Sequence, residues 1–181
     1  MIKVVGGKYR SRVLLTPPEE TTLPTKNRVR EAIASALSFE IPNAKVLDLF
    51  AGSGALGIEV LSRGAASCLF VDADKIAAGI VKKNLESLKE SNGEVWQLDY
   101  KAALDRAKGR KFSLVFLDPP YANKESYGYA IGFLLKERML EEAFAIVVEF
   151  EGDVPLDLTP FKEVRRYTYG KSNVMILRGK A

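Results

Sequence analysis

The apolar run at 112–117 is followed directly by Asp118, Pro119, Pro120 and Tyr121. If this run is a strand, as its sequence predicts, these four residues lie at one edge of a sheet. The two prolines lack a backbone N–H, so they present carbonyl acceptors on a loop with restricted φ. A carboxylate oxygen of Asp118 and a nearby carbonyl can accept hydrogen bonds from both N–H groups of one planar –NH₂ group. This favours the pyramidal geometry in which the nitrogen can attack a methyl sulfonium, while Tyr121 offers a stacking face for a base. The alternative is an ordinary proline turn.

A glycine-rich segment follows the apolar run at 46–50. Gly52, Gly54 and Gly57 match G-x-G-x-x-G between a predicted strand and a predicted helix. Glycines allow a tight turn and a close approach to a ligand, and Asp72, at the end of the next strand, is placed to accept hydrogen bonds from a ribose diol. NAD and S-adenosylmethionine both fit this pattern.

Asp48 distinguishes the two cofactors. Its carboxylate would repel a pyrophosphate but could pair with the cationic amino group of a methionine moiety; the alternative is a structural carboxylate that caps the loop amides. The third predicted strand ends at Asp99 and Tyr100, where Asp99 could accept from an adenine amino group beside the Tyr100 ring, or could simply cap the next helix. The predicted cofactor residues are Asp48, Phe50, Ala51, Gly52, Gly54, Asp72, Asp99 and Tyr100.

The composition excludes several kinds of chemistry. The 181 residues include no histidine and one cysteine, so a Ser-His-Asp or Cys-His pair, a His-ligated metal and an internal disulfide are excluded. The chain has the length of one ordinary domain. No apolar run approaches the ~20 residues of a membrane span, and residues 1–7 lack the long apolar core of a signal peptide, so a cytoplasmic location is expected.

Positive charge is concentrated near the N-terminus. Residues 1–30 carry seven Lys and Arg against two Asp and Glu, whereas the rest of the chain carries 20 against 21. A polyanion-binding appendage would have this charge distribution, and so would a solvated arm. The candidate contacts to a nucleic acid are Lys8, Arg10, Arg12, Lys26, Arg28 and Arg30.

The element order predicts an α/β fold. Short β-prone runs at 2–5 and 12–15 indicate an N-terminal hairpin, and Asn27 is predicted to cap the first helix. From residue 45 strands alternate with helices, the last of which is expected at 125–140, and this alternation is typical of a mostly parallel sheet. Runs at 164–169 and 174–177 predict a closing antiparallel hairpin. The predicted division is a basic extension at 1–24 and a catalytic domain at 25–181.

Several other residues allow more than one interpretation. Cys68 and Trp96 lie within predicted strands and are expected in the core. Tyr127 and Tyr129 could line an RNA groove or pack on the surface. Glu149 at the end of the fifth strand is expected to be solvated, as is Glu151.

The chain resembles the RsmD-type family of bacterial small-subunit rRNA guanine-N2 methyltransferases. The resemblance rests on VGGKYRSR at 5–12, PTKNRVRE at 24–31, DLFAGSGALG at 48–57 and DPPY at 118–121. The last two blocks occur in many amino-methyltransferases, whereas the first two are more specific to this family. The family commonly has Glu where this chain has Asp72, and often Asp where it has Asn27.

The resemblance implies a Rossmann-like methyltransferase fold with a mostly parallel seven-stranded sheet and an N-terminal β-hairpin that helps to hold RNA. It implies S-adenosylmethionine as methyl donor and the exocyclic N2 of a guanine in 16S rRNA as target, on an assembled or assembling small subunit. Asp118 would orient the amine, Pro119 would offer its carbonyl and Tyr121 would stack on the guanine. A monomer without a metal is expected.

Two alternatives remain open. Asp-Pro-Pro-Tyr fits any planar amine, such as adenine N6 in DNA or RNA or a glutamine amide, and the basic first 30 residues favour a nucleic acid over the amide. The other alternative is a ribosome-assembly factor that uses the fold only for binding.

Overall fold

The computed structural model describes residues 1–18, 24–120 and 122–180. Tyr121, the predicted stacking residue, lies outside the described residues. Within these residues no helix is both long and apolar enough to cross a membrane. The strands are β1 (Ile2–Lys3), β2 (Val13–Leu14), β3 (Lys45–Asp48), β4 (Ser67–Asp72), β5 (Gly93–Gln97), β6 (Phe112–Leu117), β7 (Leu140–Glu151), β8 (Glu163–Tyr169) and β9 (Ser172–Lys180). The helices are α1 (Pro24–Ala36), α2 (Ala55–Ser62), α3 (Lys75–Leu88), α4 (Tyr100–Arg106) and α5 (Glu125–Lys136), with a 3₁₀ turn at Gly7–Tyr9.

Seven strands form one sheet in the order β5-β4-β3-β6-β7-β9-β8. The pairs from β5 to β7 are parallel, while β9 is antiparallel to both β7 and β8. The predicted parallel sheet with a closing hairpin is therefore confirmed. The strand order reverses between β3 and β6, and in such sheets the ligand crevice opens at the carboxyl ends of the strands next to that reversal.

The central strands are buried on both faces, which explains their nearly continuous apolar sequences. Because side chains alternate along a strand, β6 sends Phe116 to one face and Leu117 to the other. The first face is covered by α1, α2 and α3, and the second by α4 and α5. Cys68 is buried on the first face, as predicted.

The N-terminal hairpin packs on the first of these faces. Strand β1 pairs with β2 so that Ile2 lies opposite Leu14, and both side chains are buried in the core beneath α1 and α2. The hairpin is thus joined to the domain by apolar contacts as well as by the chain itself.

Glu59 on α2 anchors the hairpin. Its side chain is completely buried and accepts hydrogen bonds from the backbone N–H groups of Val5 and Gly6, each at 2.9 Å. Two cations lie against the same carboxylate, Arg63 at 2.9 Å and Arg30 at 3.7 Å. A buried charge is tolerated because donors and countercharges surround it on several sides.

Three sequence predictions about local structure are wrong. Helix α1 begins at Pro24 rather than after an Asn27 cap, since proline is well suited to the first turn of a helix. Helix α5 ends at Lys136 because Arg138 adopts a positive φ, so Leu140 begins β7. Trp96 is only partly buried, because β5 is an edge strand, and two arginines, Arg106 and Arg110, lie over its ring.

Candidate active site

A cavity of about 450 Å³ opens at the carboxyl ends of β3, β4 and β6. A larger cavity of about 660 Å³ lies at the opposite, amino-terminal edge of the sheet and contains none of the predicted site residues. The first cavity therefore fits the chemistry suggested by the sequence. Of the predicted residues it is lined by Phe50, Ala51, Gly52, Asp72, Asp99, Tyr100, Asp118, Pro119, Pro120 and Lys26.

The turn between β3 and α2 depends on glycine. Gly52 and Gly54 have φ values of 55° and 78°, in the left-handed region that other residues rarely adopt. The turn is closed by a 2.7 Å hydrogen bond from the Gly54 N–H to the Ala51 carbonyl. At Gly57 a β-carbon would lie 2.3 Å from the Phe70 ring, so the third glycine allows α2 to pack closely on β4.

Asp72 holds this turn in place. Its carboxylate accepts hydrogen bonds from the N–H groups of Gly52 at 2.8 Å and Asp74 at 2.9 Å. A carboxylate has about four lone-pair directions, so acceptor capacity remains on the cavity side. Asp99 likewise caps α4 by accepting from the Lys101 N–H at 2.9 Å and also lines the cavity. Capping and ligand binding are thus compatible at both carboxylates.

Asn84 on α3 joins the turn to the N-terminal arm. Its side-chain amide donates to the Ser53 carbonyl and to the Leu15 carbonyl, both at 3.0 Å. In return it accepts from the Leu15 N–H at 2.8 Å. The sequence analysis missed this residue, since an asparagine within a helix carries no signal of a partner so distant along the chain.

Aromatic rings line one side of the cavity. The ring centres of Phe50 and Tyr100 are 5.4 Å apart, and Tyr129 meets Tyr100 edge-on at 5.7 Å. Tyr129 is 40% exposed, whereas Tyr127 is buried and its hydroxyl donates to the Glu149 carbonyl at 2.7 Å. Tyr127 therefore supports the end of β7, and the aromatic row extends from the cavity to the surface through Tyr129.

Three carboxylates point from neighbouring strands toward α1. Asp48, Asp118 and Glu149 line a second, smaller cavity of about 90 Å³. Lys26 and Arg30 line the same space from α1. This cavity, called the carboxylate chamber below, shares Lys26, Phe50, Ala51 and Asp118 with the first one, so the two adjoin at Asp118.

The expectation that Glu149 is solvated is wrong. The side chain lies within the chamber, and burial raises the pKa of the Glu149 carboxyl although the positive charge of Lys26 opposes the shift. The alternation along β7 could have indicated this placement, because Glu149 lies two residues after the buried Val147 and must share its face.

The predicted nucleic-acid contacts differ in exposure. Four of them, Lys8, Arg10, Arg12 and Arg28, are exposed. Of these, Lys8 forms an ion pair with Glu90, and Arg12 donates to the Ser87 carbonyl. Lys26 is partly buried in the cavity wall.

Arg30 requires a correction, because the structure does not present it to a nucleic acid. It is 7% exposed, donates to the Lys3 carbonyl at 2.6 Å and faces the buried Glu59. Its charge balances an internal carboxylate.

Comparisons with known proteins agree with this geometry. A sequence model of the family described as conserved hypothetical protein 95 matches residues 2–178. The chain is 39% identical over 183 residues to "Putative rRNA methyltransferase YlbH" of Bacillus subtilis, covering 98% of each protein. It is 36% identical to "Ribosomal RNA small subunit methyltransferase D" of Escherichia coli, covering 88% of this chain and 79% of that one. The solved structure titled "Putative methyltransferase yhhF from Escherichia coli" superimposes with a TM-score of 0.87 at 31% identity, covering 99% of this chain and 98% of the other.

Proposed function

Because the chain belongs to the conserved hypothetical protein 95 family, which is the RsmD family, we propose that it methylates the exocyclic N2 of a guanine in 16S rRNA. The methyl donor would be S-adenosylmethionine, and the substrate would be the small ribosomal subunit or an assembly intermediate. The observation that carries the proposal is the position of Asp118 at the junction of two cavities, with Pro119 beside it in the wall of the first. One cavity has the features of a nucleotide-cofactor site, and the other presents carboxylates to an incoming base.

The residues of the 450 Å³ cavity at the carboxyl ends of the strands fit S-adenosylmethionine, which would supply an electrophilic methyl group on a sulfonium. The left-handed turn at Gly52 allows the backbone to approach a ligand closely, and Asp72 keeps acceptor capacity for ribose hydroxyls. Asp48, which is 4% exposed and lines the adjoining carboxylate chamber, would provide a negative charge for the amino group of the methionine moiety where the two cavities meet. Phe50 and Tyr100 offer apolar surfaces for the adenine ring.

The chain's contribution to the reaction is to orient the amine. Asp118 and the Pro119 carbonyl would accept hydrogen bonds from the two N2–H groups, which would turn the nitrogen lone pair toward the methyl carbon. S-adenosylmethionine bound in the adjoining cavity would supply the methyl group, which would pass to the nitrogen while the carbon–sulfur electron pair stayed with the sulfur. The methylated nitrogen then releases a proton to water. No tuned general base is needed, which is consistent with a chain that contains no histidine.

A transfer assay tests the proposal against its alternatives. The purified protein is incubated with methyl-labelled S-adenosylmethionine and, in parallel, with small subunits, naked 16S rRNA and duplex DNA. The expected product is labelled N2-methylguanine in the rRNA, identified by mass spectrometry of its nucleosides. Methyladenine in any nucleic acid would indicate a different planar amine, and donor binding without transfer would indicate an assembly factor. Either result overturns the proposal.

Arg10, an exposed arginine of the N-terminal hairpin, is expected to contact phosphate. Replacing Arg10 with glutamine should weaken RNA binding and lower the slope of log affinity against log salt by about 0.7 for each lost contact to single-stranded RNA. Binding is measured by filter retention from low to physiological salt. The matched control is Arg166→Gln, which removes an exposed arginine from β8 at the far edge of the sheet and should leave the slope unchanged. Equal slopes for Arg10→Gln and the native protein would make the arm a merely solvated segment.

A further inference from the structure

We propose that Glu149 selects guanine as the target base by accepting a hydrogen bond from its N1–H group while Asp118 holds the neighbouring N2 amine. The inference rests on the proposed function and adds to it the residue that distinguishes guanine from other bases bearing an amine. It follows from the position of Glu149 in the sheet, from the environment of its carboxylate and from the pattern of donors on the bases.

The strand register places Glu149 beside Asp118. In the parallel pair β6 and β7, Leu117 lies opposite Val148, so the next residues of the two strands are neighbours. Adjacent strands are about 4.8 Å apart. Both side chains project to the α1 face, as the alternation with Phe116 and Val147 requires, and both line the carboxylate chamber. Two carboxylates at this separation match two adjacent N–H groups on one edge of a base.

Within the described part of the chain, the Glu149 carboxylate accepts no hydrogen bond. Among residues 1–18, 24–120 and 122–180, no group donates a hydrogen bond to it, and Lys26 lines the same chamber without forming an ion pair with it. Burial raises the pKa of this carboxyl, so its charge is poorly compensated. Glu149 is partly buried, so its carboxylate keeps acceptor capacity toward the chamber, and an N–H group of a bound base could donate to it there.

Guanine provides the required donors on its Watson–Crick edge. Its N1–H and N2–H groups are adjacent, so one can point at Glu149 and the other at Asp118. Adenine has a lone pair at N1, which an ionised Glu149 would repel. The base 2-aminopurine keeps the same N2 amine but has no hydrogen on N1. It therefore isolates the contribution of the N1 contact from that of the amine.

The test compares guanine and 2-aminopurine at the modified position. Once the methylated guanine has been located in the transfer assay, a synthetic RNA segment carrying either base is ligated into small-subunit rRNA and assembled into subunits. The native protein is expected to prefer guanine by about 10- to 100-fold in kcat/KM, the range for a hydrogen bond to a charged group. In Glu149→Gln the amide can donate to the bare N1, so the preference should shrink to a few-fold or reverse.

Glu151→Gln is the matched control. It makes the same substitution two residues along the same strand, on a side chain that does not line the chamber, and should keep the native preference. Glu149→Asp retains the charge and should keep the preference at a lower rate. Affinity for S-adenosylmethionine verifies that each variant is folded.

The outcomes separate this inference from the proposed function. A native protein that methylates guanine N2 but accepts 2-aminopurine equally well refutes the role of Glu149, as does an unchanged preference in Glu149→Gln. Absence of N2-methylguanine with the native protein would instead refute the proposed function itself. The native comparison needs no variant, so the inference can be rejected even if Glu149→Gln does not fold.

Discussion

Replacing Asp118 with alanine is expected to lower the rate of methyl transfer by about 10²- to 10³-fold, the usual effect of removing one preorganised polar group from a reacting centre. The affinity for S-adenosylmethionine should change by no more than a few-fold. This difference is expected because Asp118 lies where the two cavities meet, whereas Gly52 and Asp72 line only the larger of the two. Single-turnover transfer with labelled donor gives the rate, and calorimetry gives the affinity.

The control for Asp118 is Asp105→Ala. Asp105 lies on α4 with a side chain that is 70% exposed, and its replacement should affect neither rate nor affinity. If Asp118→Ala instead loses donor binding by orders of magnitude, the carboxylate holds the cofactor and does not orient the amine.

Replacing Glu59 with glutamine is expected to lower the free energy of unfolding by about 3–5 kcal/mol, because the change removes the negative charge that lies against the buried Arg30 guanidinium. In the native protein the N–H groups of Val5 and Gly6 donate to the Glu59 carboxylate. The side-chain amide of the glutamine would place an N–H donor against one of these donors. Urea denaturation measures the loss of stability. Hydrogen exchange at these two amides should become faster than in the rest of the core, since the hairpin loses its anchor before the domain unfolds.

Glu141→Gln provides the comparison for Glu59. Glu141 also forms an ion pair, with Lys45, but its side chain is 33% exposed and that of Lys45 is 60% exposed. Surface pairs contribute about 0–1 kcal/mol, so stability should hardly change. Equal losses in the two variants would mean that Glu59 is no more important than a surface charge.

The sequence was sufficient to predict the sheet and most of the residues that line the cavity at its carboxyl edge. Strand β6 is apolar except for Ser113 and is followed directly by Asp118, and the glycine pattern after β3 requires a turn of known geometry. Both signals are local, so they can be read without knowing which elements pack together. The fold and the positions of Gly52 and Asp72 followed from them.

The other side of the site depends on contacts between distant segments. Arg30 carries the same charge as the exposed Arg28, yet it is buried because α1 lies over Glu59 of α2. Glu149 is covered by that same helix, whose position no local pattern specifies. Charge counting alone cannot separate a cation that balances an internal carboxylate from one that meets a phosphate.

The side-chain amide of Asn84 couples the turn between β3 and α2 to the N-terminal segment at Leu15. It holds the Ser53 carbonyl in the cofactor turn and both backbone groups of Leu15 in the arm. A displacement of either segment must therefore stretch a bond to the other. Under the proposed function, thermodynamic linkage would make such an effect reciprocal: if a bound donor ordered the segment at Leu15, RNA bound to that segment would raise the affinity for the donor by the same factor.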